Sequence, residues 1–130
     1  MSWRVEYVLD SAAVLALLSL EPGYQSVAEL LNKSVISSVN LAEVFNKLAQ
    51  KASAEDVREL LRPLELKVED WSEDMAYLSA EFTQFNKSHG LSLGDRACLT
   101  LAKQLRATAV TSDKSWRRAP SLGVRIMIFR

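Results

Sequence analysis

Only one cysteine, Cys98, occurs among the 130 residues, which excludes an internal disulfide and fits a reducing compartment. There is also a single histidine, His89, near a predicted helix C-terminus, where a cation is favoured. It reads as structural rather than as a general base. Neither sign of charge is in excess, since Lys+Arg and Asp+Glu number 16 each. Net charge thus gives no pull toward nucleic acid or membrane, and any such affinity must come from a local patch. No apolar run approaches the ~20 residues that a membrane span needs. The opening Met1-Ser2-Trp3-Arg4 carries no apolar leader region, so a cytoplasmic address is expected. Internal repeats, linkers and low-complexity tracts are missing too. What remains is ordinary globular composition, 48% hydrophobic and 25% charged. At this length the simplest organisation is a single domain over 1–130, burying roughly two-thirds of its unfolded surface.

Strand and helix signals alternate along the chain. Strands are predicted at Val5 to Leu9, Ser34 to Ser37, Leu64 to Val68, Thr108 to Thr111 and Val124 to Phe129. A helix from Ser11 ends at Pro22-Gly23, and a second runs from Tyr24 to Asn32. A third starts at Ser38 or Asn40 and reaches about Lys51, with Leu41, Val44, Phe45 and Leu48 as its apolar stripe. Ser53 and Asp56 form a capping-box pattern before a fourth, which Pro63 ends. The longest is predicted from Ser72 to Ser88, with Met75, Leu78, Phe82 and Phe85 inward and Gly90 past its end. A last one follows Ser92 and carries Leu93, Ala97, Leu101 and Leu105 at i, i+4 spacing. This βαβ alternation predicts a mainly parallel sheet with helices on both faces.

Such a sheet would bring four acids to one place. Asp10 and Asp113 each follow an apolar strand, while Glu43 and Asp95 are expected in the first turns of two helices. In open α/β sheets the ligand crevice lies beyond the carboxyl ends of the strands. At ~5 Å and an effective dielectric of ~20, each pair of carboxylates there repels by about 3 kcal/mol. A hard divalent cation with oxygen ligands relieves that repulsion, and such ions commonly serve phosphate esters. The pattern therefore points to Mg²⁺ or Mn²⁺. Each acid also has a plain structural reading. Asp10 fits an N-cap. Asp95 fits a capping box with Ser92, Glu43 the helix dipole, and Asp113 a turn. Singly these readings compete well. Together the four sit among apolar residues, where an unpaired charge is costly. Glu55, Asp56, Glu59, Glu65, Glu69, Asp70, Glu73 and Asp74 lie in polar stretches and read as solvated faces.

Four segments resemble the motifs of the PIN-domain family. These are Val8-Leu9-Asp10-Ser11, Ser38-Val39-Asn40-Leu41-Ala42-Glu43-Val44, Leu91-Ser92-Leu93-Gly94-Asp95-Arg96-Ala97-Cys98 and Val110-Thr111-Ser112-Asp113. They come in order and span nearly the whole chain. The nearest resemblance is to VapC-like toxins, the ribonuclease halves of prokaryotic toxin–antitoxin pairs. It implies a three-layer α/β/α sandwich with a central, mainly parallel sheet of four to five strands. It also implies a Mg²⁺- or Mn²⁺-dependent endoribonuclease with Asp10, Glu43, Asp95 and Asp113 as its catalytic metal ligands. An antitoxin protein as inhibitor and a homodimer are further implications. One departure is that Lys114-Ser115-Trp116-Arg117-Arg118 follows Asp113, where many relatives carry another acid or polar residue. That bears on a second metal ion rather than the first.

Ser11 and Ser112 are adjacent hydroxyls able to hold a carboxylate or water, though Ser11 also fits a capping role. Thr111 reads as strand only. Arg96, Lys114, Arg117 and Arg118 flank the acids and could contact RNA phosphates, or be ordinary surface charges. Trp116 reads as core or interface before it reads as a base-stacking platform. Cys98 reads as core. Val27, Leu30, Leu31, Leu41, Phe45 and Leu48 suggest a groove framed by the second and third helices, in which an antitoxin helix could lie. A haloacid-dehalogenase-type phosphatase would need a second Asp where this chain has Ala12. A receiver domain would need an early acidic pair and a late Lys that are missing. The remaining alternative is a non-catalytic PIN-fold module that binds RNA or protein.

Overall fold

A computed structural model describes residues 4–83 and 90–130, with 119–122 by backbone alone. Five parallel strands form one sheet: β1 (Tyr7–Leu9), β2 (Ser34–Ser37), β3 (Lys67–Glu69), β4 (Thr108–Thr111) and β5 (Arg125–Ile128). Their spatial order is β3-β2-β1-β4-β5. The chain winds outward from β1 to β3, then returns to place β4 on the free side of β1. The winding thus reverses between β1 and β4, and in open α/β sheets ligands bind beyond the carboxyl ends of the strands at such a switch point.

The described helices are α1 (Ser11–Ser19), α2 (Tyr24–Leu30), α3 (Ser38–Leu48), α4 (Ala54–Leu61), α5 (Glu73–Leu78) and α6 (Leu93–Leu105). Successive strand residues face opposite sides of the sheet. Val8, Val35 and Ala109 enter one core with Met75, Phe82, Cys98, Leu99, Leu101 and Trp116. Leu9, Ile36 and Val110 enter the other with Val14, Val27, Val44, Val57 and Phe129. Two cores on two faces of one sheet make the three-layer α/β/α sandwich.

Several elements differ from expectation. The third strand starts at Lys67 rather than Leu64, because a 3₁₀ turn at Arg62–Leu64 contains Pro63 and ends at a left-handed Glu65 (φ 47). The helix expected from Ser72 to Ser88 is α5, then a 3₁₀ turn at Ser79–Phe82; Phe85 and His89 lie outside the described residues. Met75 and Phe82 are buried as expected, but Leu78 is 40% exposed. Leu93 is 53% exposed, for it opens α6 before the helix reaches the core. The capping box at Ser53 forms only half, with its Oγ accepting from the Asp56 N–H at 3.1 Å. The box at Ser92 and Asp95 is complete. The groove expected between α2 and α3 is altered too, since α1 packs against both. Val27 is buried, and the five leucine and phenylalanine side chains are half-buried on the same core. A hollow of about 280 Å³ opens along α3 on its α4 and β3 side, lined in part by Leu41, Phe45, Leu61, Leu66 and Val68. Among the described residues no helix is long and apolar enough to cross a membrane.

Candidate active site

Asp10 directly follows β1. Its backbone N–H donates to the Val110 carbonyl at 3.1 Å, which fixes the start of α1 beside the end of β4. Its Oδ1 accepts from the Ala13 N–H at 2.8 Å, so Asp10 is the N-cap of α1. The plain reading of Asp10 is therefore correct and incomplete. The residue is 6% exposed, and burial raises its carboxyl from 3.8 to about 6. A hydrogen bond with the Thr111 hydroxyl and the one from Ala13 lower it in part, while the charges of Asp95 and Glu43 raise it further. No cation pairs with it among the described residues.

Asp95 is the third residue of α6. Its Oδ2 accepts from the Ser92 N–H at 3.0 Å, and its own N–H donates to Ser92 Oγ at 3.1 Å. Burial raises this carboxyl, with Asp113 and Glu43 adding to the rise and the Ser92 bonds opposing it. Asp113 follows β4 and is exposed. Its Oδ1 accepts from the N–H and hydroxyl of Ser115, at 2.9 and 2.7 Å, which opens the 3₁₀ segment Lys114–Leu122.

Glu43 departs from expectation. Helix α3 begins at Ser38, capped by Ser37 Oγ, and holds no acid in its first turn. Glu43 therefore lies in the second turn, where the helix dipole offers it little. Asn40 holds it instead. Asn40 is 1% exposed, and its Nδ2 donates to Glu43 Oε1 at 2.9 Å and to the Gly94 carbonyl at 3.0 Å. One amide thus ties α3 to the first turn of α6, beside Asp95. Its Oδ1 is buried without a partner.

The four acids are electrostatically linked. Asp10 feels Asp95 and Glu43, and Asp95 feels Asp113 and Glu43. Each carboxylate also serves a local hydrogen bond, and among the described residues no three are posed to hold one ion together. Sequence reading missed Asn40, Gly94 and Thr111. Thr111 is fully buried, and its hydroxyl bonds the Asp10 carboxylate and accepts from the Asp113 N–H at 3.1 Å. It links the Asp10 carboxylate to the Asp113 backbone, and so holds a carboxylate in place, as was expected of Ser11 and Ser112. The hydroxyls of those two serines make no hydrogen bond among the described residues. Ser11 is not the cap of α1 either, because Asp10 is. Arg96 is half-buried beside Asp95, while Lys114, Arg117 and Arg118 are exposed on the segment after Asp113. Trp116 is buried in the core, as is Cys98, whose thiol is raised well above its ordinary range by burial.

The PIN domain family profile matches residues 7–122, with the four acids inside the matched region. The chain belongs to the PIN domain family. No curated protein matches the sequence. Solved structures share the PIN fold over nearly the whole chain. A chain of the DNA-bound VapBC from Salmonella typhimurium has a TM-score of 0.78 at 17% identity, covering 97% of this chain and 99% of that one. VapBC2 from Rickettsia felis, bound to a DNA fragment from its promoter, gives 0.74 at 21%, covering 95% and 98%. A toxin–antitoxin complex from Klebsiella pneumoniae gives 0.69 at 18%, covering 96% and 98%. At these identities the likeness is one of fold. The PIN donor set here is all oxygen and centred on a buried carboxylate without a counter-charge, which fits a hard divalent cation.

Proposed function

We propose that this chain is a Mg²⁺- or Mn²⁺-dependent endoribonuclease and the toxin of a toxin–antitoxin pair. Membership of the PIN family places it among nucleases, and its fold is shared with chains of toxin–antitoxin complexes. The observation that carries the reading is Asp10. A carboxylate buried at a sheet switch point, raised to about 6 and facing two further acids, is costly in a protein with no use for it.

Asp10, Asp95 and Asp113 would hold the ion, with Glu43 holding water or a second ion. A bound cation supplies polarisation of the phosphoryl oxygen and a lowered pKa for bound water. The chain's own residues do the rest. Thr111 fixes the Asp10 carboxylate, and Asn40 fixes that of Glu43. Arg96, Lys114, Arg117 and Arg118 take the phosphates that flank the scissile bond. The partner is a cognate antitoxin, whose apolar segment lies on the hollow between α3, α4 and β3. Homodimerisation is the competing use of the same apolar surface. The test is cleavage of single-stranded RNA by purified protein with Mg²⁺ or Mn²⁺. Asp10→Asn and Asp95→Asn should each reduce the rate about a hundredfold or more. Full activity of both variants, or full activity in excess EDTA, would overturn the nuclease reading. Failure of the neighbouring gene's product to bind would overturn the toxin reading alone.

A further inference from the structure

A hollow of about 590 Å³ lies at the opposite end of the sheet from the acids. Arg4, Glu6, Tyr7, Arg106, Thr108 and Arg125 line it. Tyr7, Thr108 and Arg125 are register partners across β1, β4 and β5, and each is the first residue of its strand. They form one row along the amino edge of the sheet. Arg106 joins them from the end of α6, where it takes a left-handed turn (φ 54) into β4. The Arg125 guanidinium donates to the Arg106 carbonyl at 3.0 Å, which anchors both residues.

The charges there are unbalanced. Glu6 is the one acid among these lining residues, and it is paired with Lys33 at 3.1 Å. Among the described residues no carboxylate pairs with Arg4, Arg106 or Arg125. Three uncompensated guanidinium groups around one concavity are marked in a chain whose total charge is zero. A carboxylate needs one such fork. A phosphate has the charge and the oxygens to engage two or three. The volume is that of a small-ligand site.

We propose that this hollow is a phosphate-binding site, separate from the acidic crevice, that takes a nucleotide phosphate. The phosphate can come from a free nucleotide or from an RNA strand that passes behind the sheet. The test is calorimetric titration of the full chain, in EDTA so that RNA is not cut, with ADP and with a single-stranded RNA hexamer. Arg106→Gly is the informative variant. It removes one guanidinium and puts glycine where the left-handed backbone favours it, so lost binding cannot be assigned to unfolding. Arg106→Gly and Arg125→Ala should each weaken ADP binding about tenfold. A larger loss for the hexamer than for ADP identifies the strand as the source, and loss for ADP alone the free nucleotide. Unchanged affinity in Arg106→Gly, no saturable binding of either probe at millimolar concentration, or equally tight binding of a hexaglutamate peptide would overturn the proposal.

Discussion

A Cβ placed on Gly94 would stand 2.2 Å from a carboxylate oxygen of Glu43. The carboxylate occupies the space that any other residue at the start of α6 would fill. Gly94 also supplies the carbonyl that accepts from Asn40, and Asn40 in turn grips Glu43. The missing side chain is thus what lets Glu43, from the second turn of α3, reach the acid next to Gly94.

Gly94→Ala should therefore act on activity more than on stability. The clash falls on the far end of a flexible side chain, which can swing away at little cost. Glu43 would then leave Asp95. RNA cleavage should fall at least tenfold while the melting temperature changes by only a few degrees. A variant that unfolds, or one that cuts at the normal rate, would contradict this use of Gly94.

Asn40→Ala should cost both. It takes one donor from the buried Gly94 carbonyl, which keeps its helical bond within α6, at a cost of about 0.5–1.5 kcal/mol, and it frees Glu43. Asn40→Asp should be worse for activity, since it sets a carboxylate against Glu43. Thermal melts read the first effect, and cleavage rates of the two variants rank the second.

The parallel sheet, the two-faced core and the positions of Asp10 and Asp113 were legible because they rest on local signals. Apolar runs such as Tyr7-Val8-Leu9 and Ala109-Val110 end in an acid, and Ser92 with Asp95 is a visible cap. Glu43 and Asp95 were legible as acids set among apolar residues near predicted helix starts, and the family motifs agreed. What stayed hidden depends on distant partners. The Asn40–Gly94 bond joins residues 54 apart in sequence. Thr111 looks like any β-branched strand residue until β4 lies beside β1. The helix holding Glu43 could start at Ser38 or Asn40, and only packing decides. Leu93 and Leu78 match an apolar period but fall where their helices no longer face a core.

Asp10 has a stability consequence with a definite sign. Its carboxyl is raised from 3.8 to about 6 on folding, so ionisation is harder in the native state. The penalty is absent below about pH 4, grows between the two values and is complete above about pH 6. Its size is about 3 kcal/mol by the usual conversion, with no discount for screening at 6% exposure. Asp10→Asn keeps an oxygen to accept from Ala13 and removes the charge. In EDTA at pH 7.5 this variant should melt higher than the parent, and the gap should close near pH 4. A parent that is the more stable of the two at pH 7.5 would argue against a buried, uncompensated charge.

Thr111→Val tests the link between the two switch-point acids. The shapes match, but the hydroxyl that bonds Asp10 and accepts from Asp113 is lost. Without that bond the Asp10 carboxyl should rise further. The acidic limb of the pH–rate profile should then move to higher pH, and the protein should lose about 1–2 kcal/mol. A profile that does not move would assign Thr111 to packing alone.

Metal should reverse the Asp10 penalty. A divalent cation supplies the counter-charge that the described side chains lack, and it binds the native state only. At a concentration a hundred times its Kd it should stabilise the protein by about 2.7 kcal/mol. Protonated Asp10 is a poor ligand, so this stabilisation should fade as pH drops below about 6. Melting curves with and without Mn²⁺ at pH 5 and pH 7.5 measure it directly. The Mn²⁺ shift should be large at pH 7.5, small at pH 5, and lost in Asp10→Asn and Asp95→Asn. An equal shift at both pH values, or one that survives in both variants, would place the ion elsewhere on the molecule.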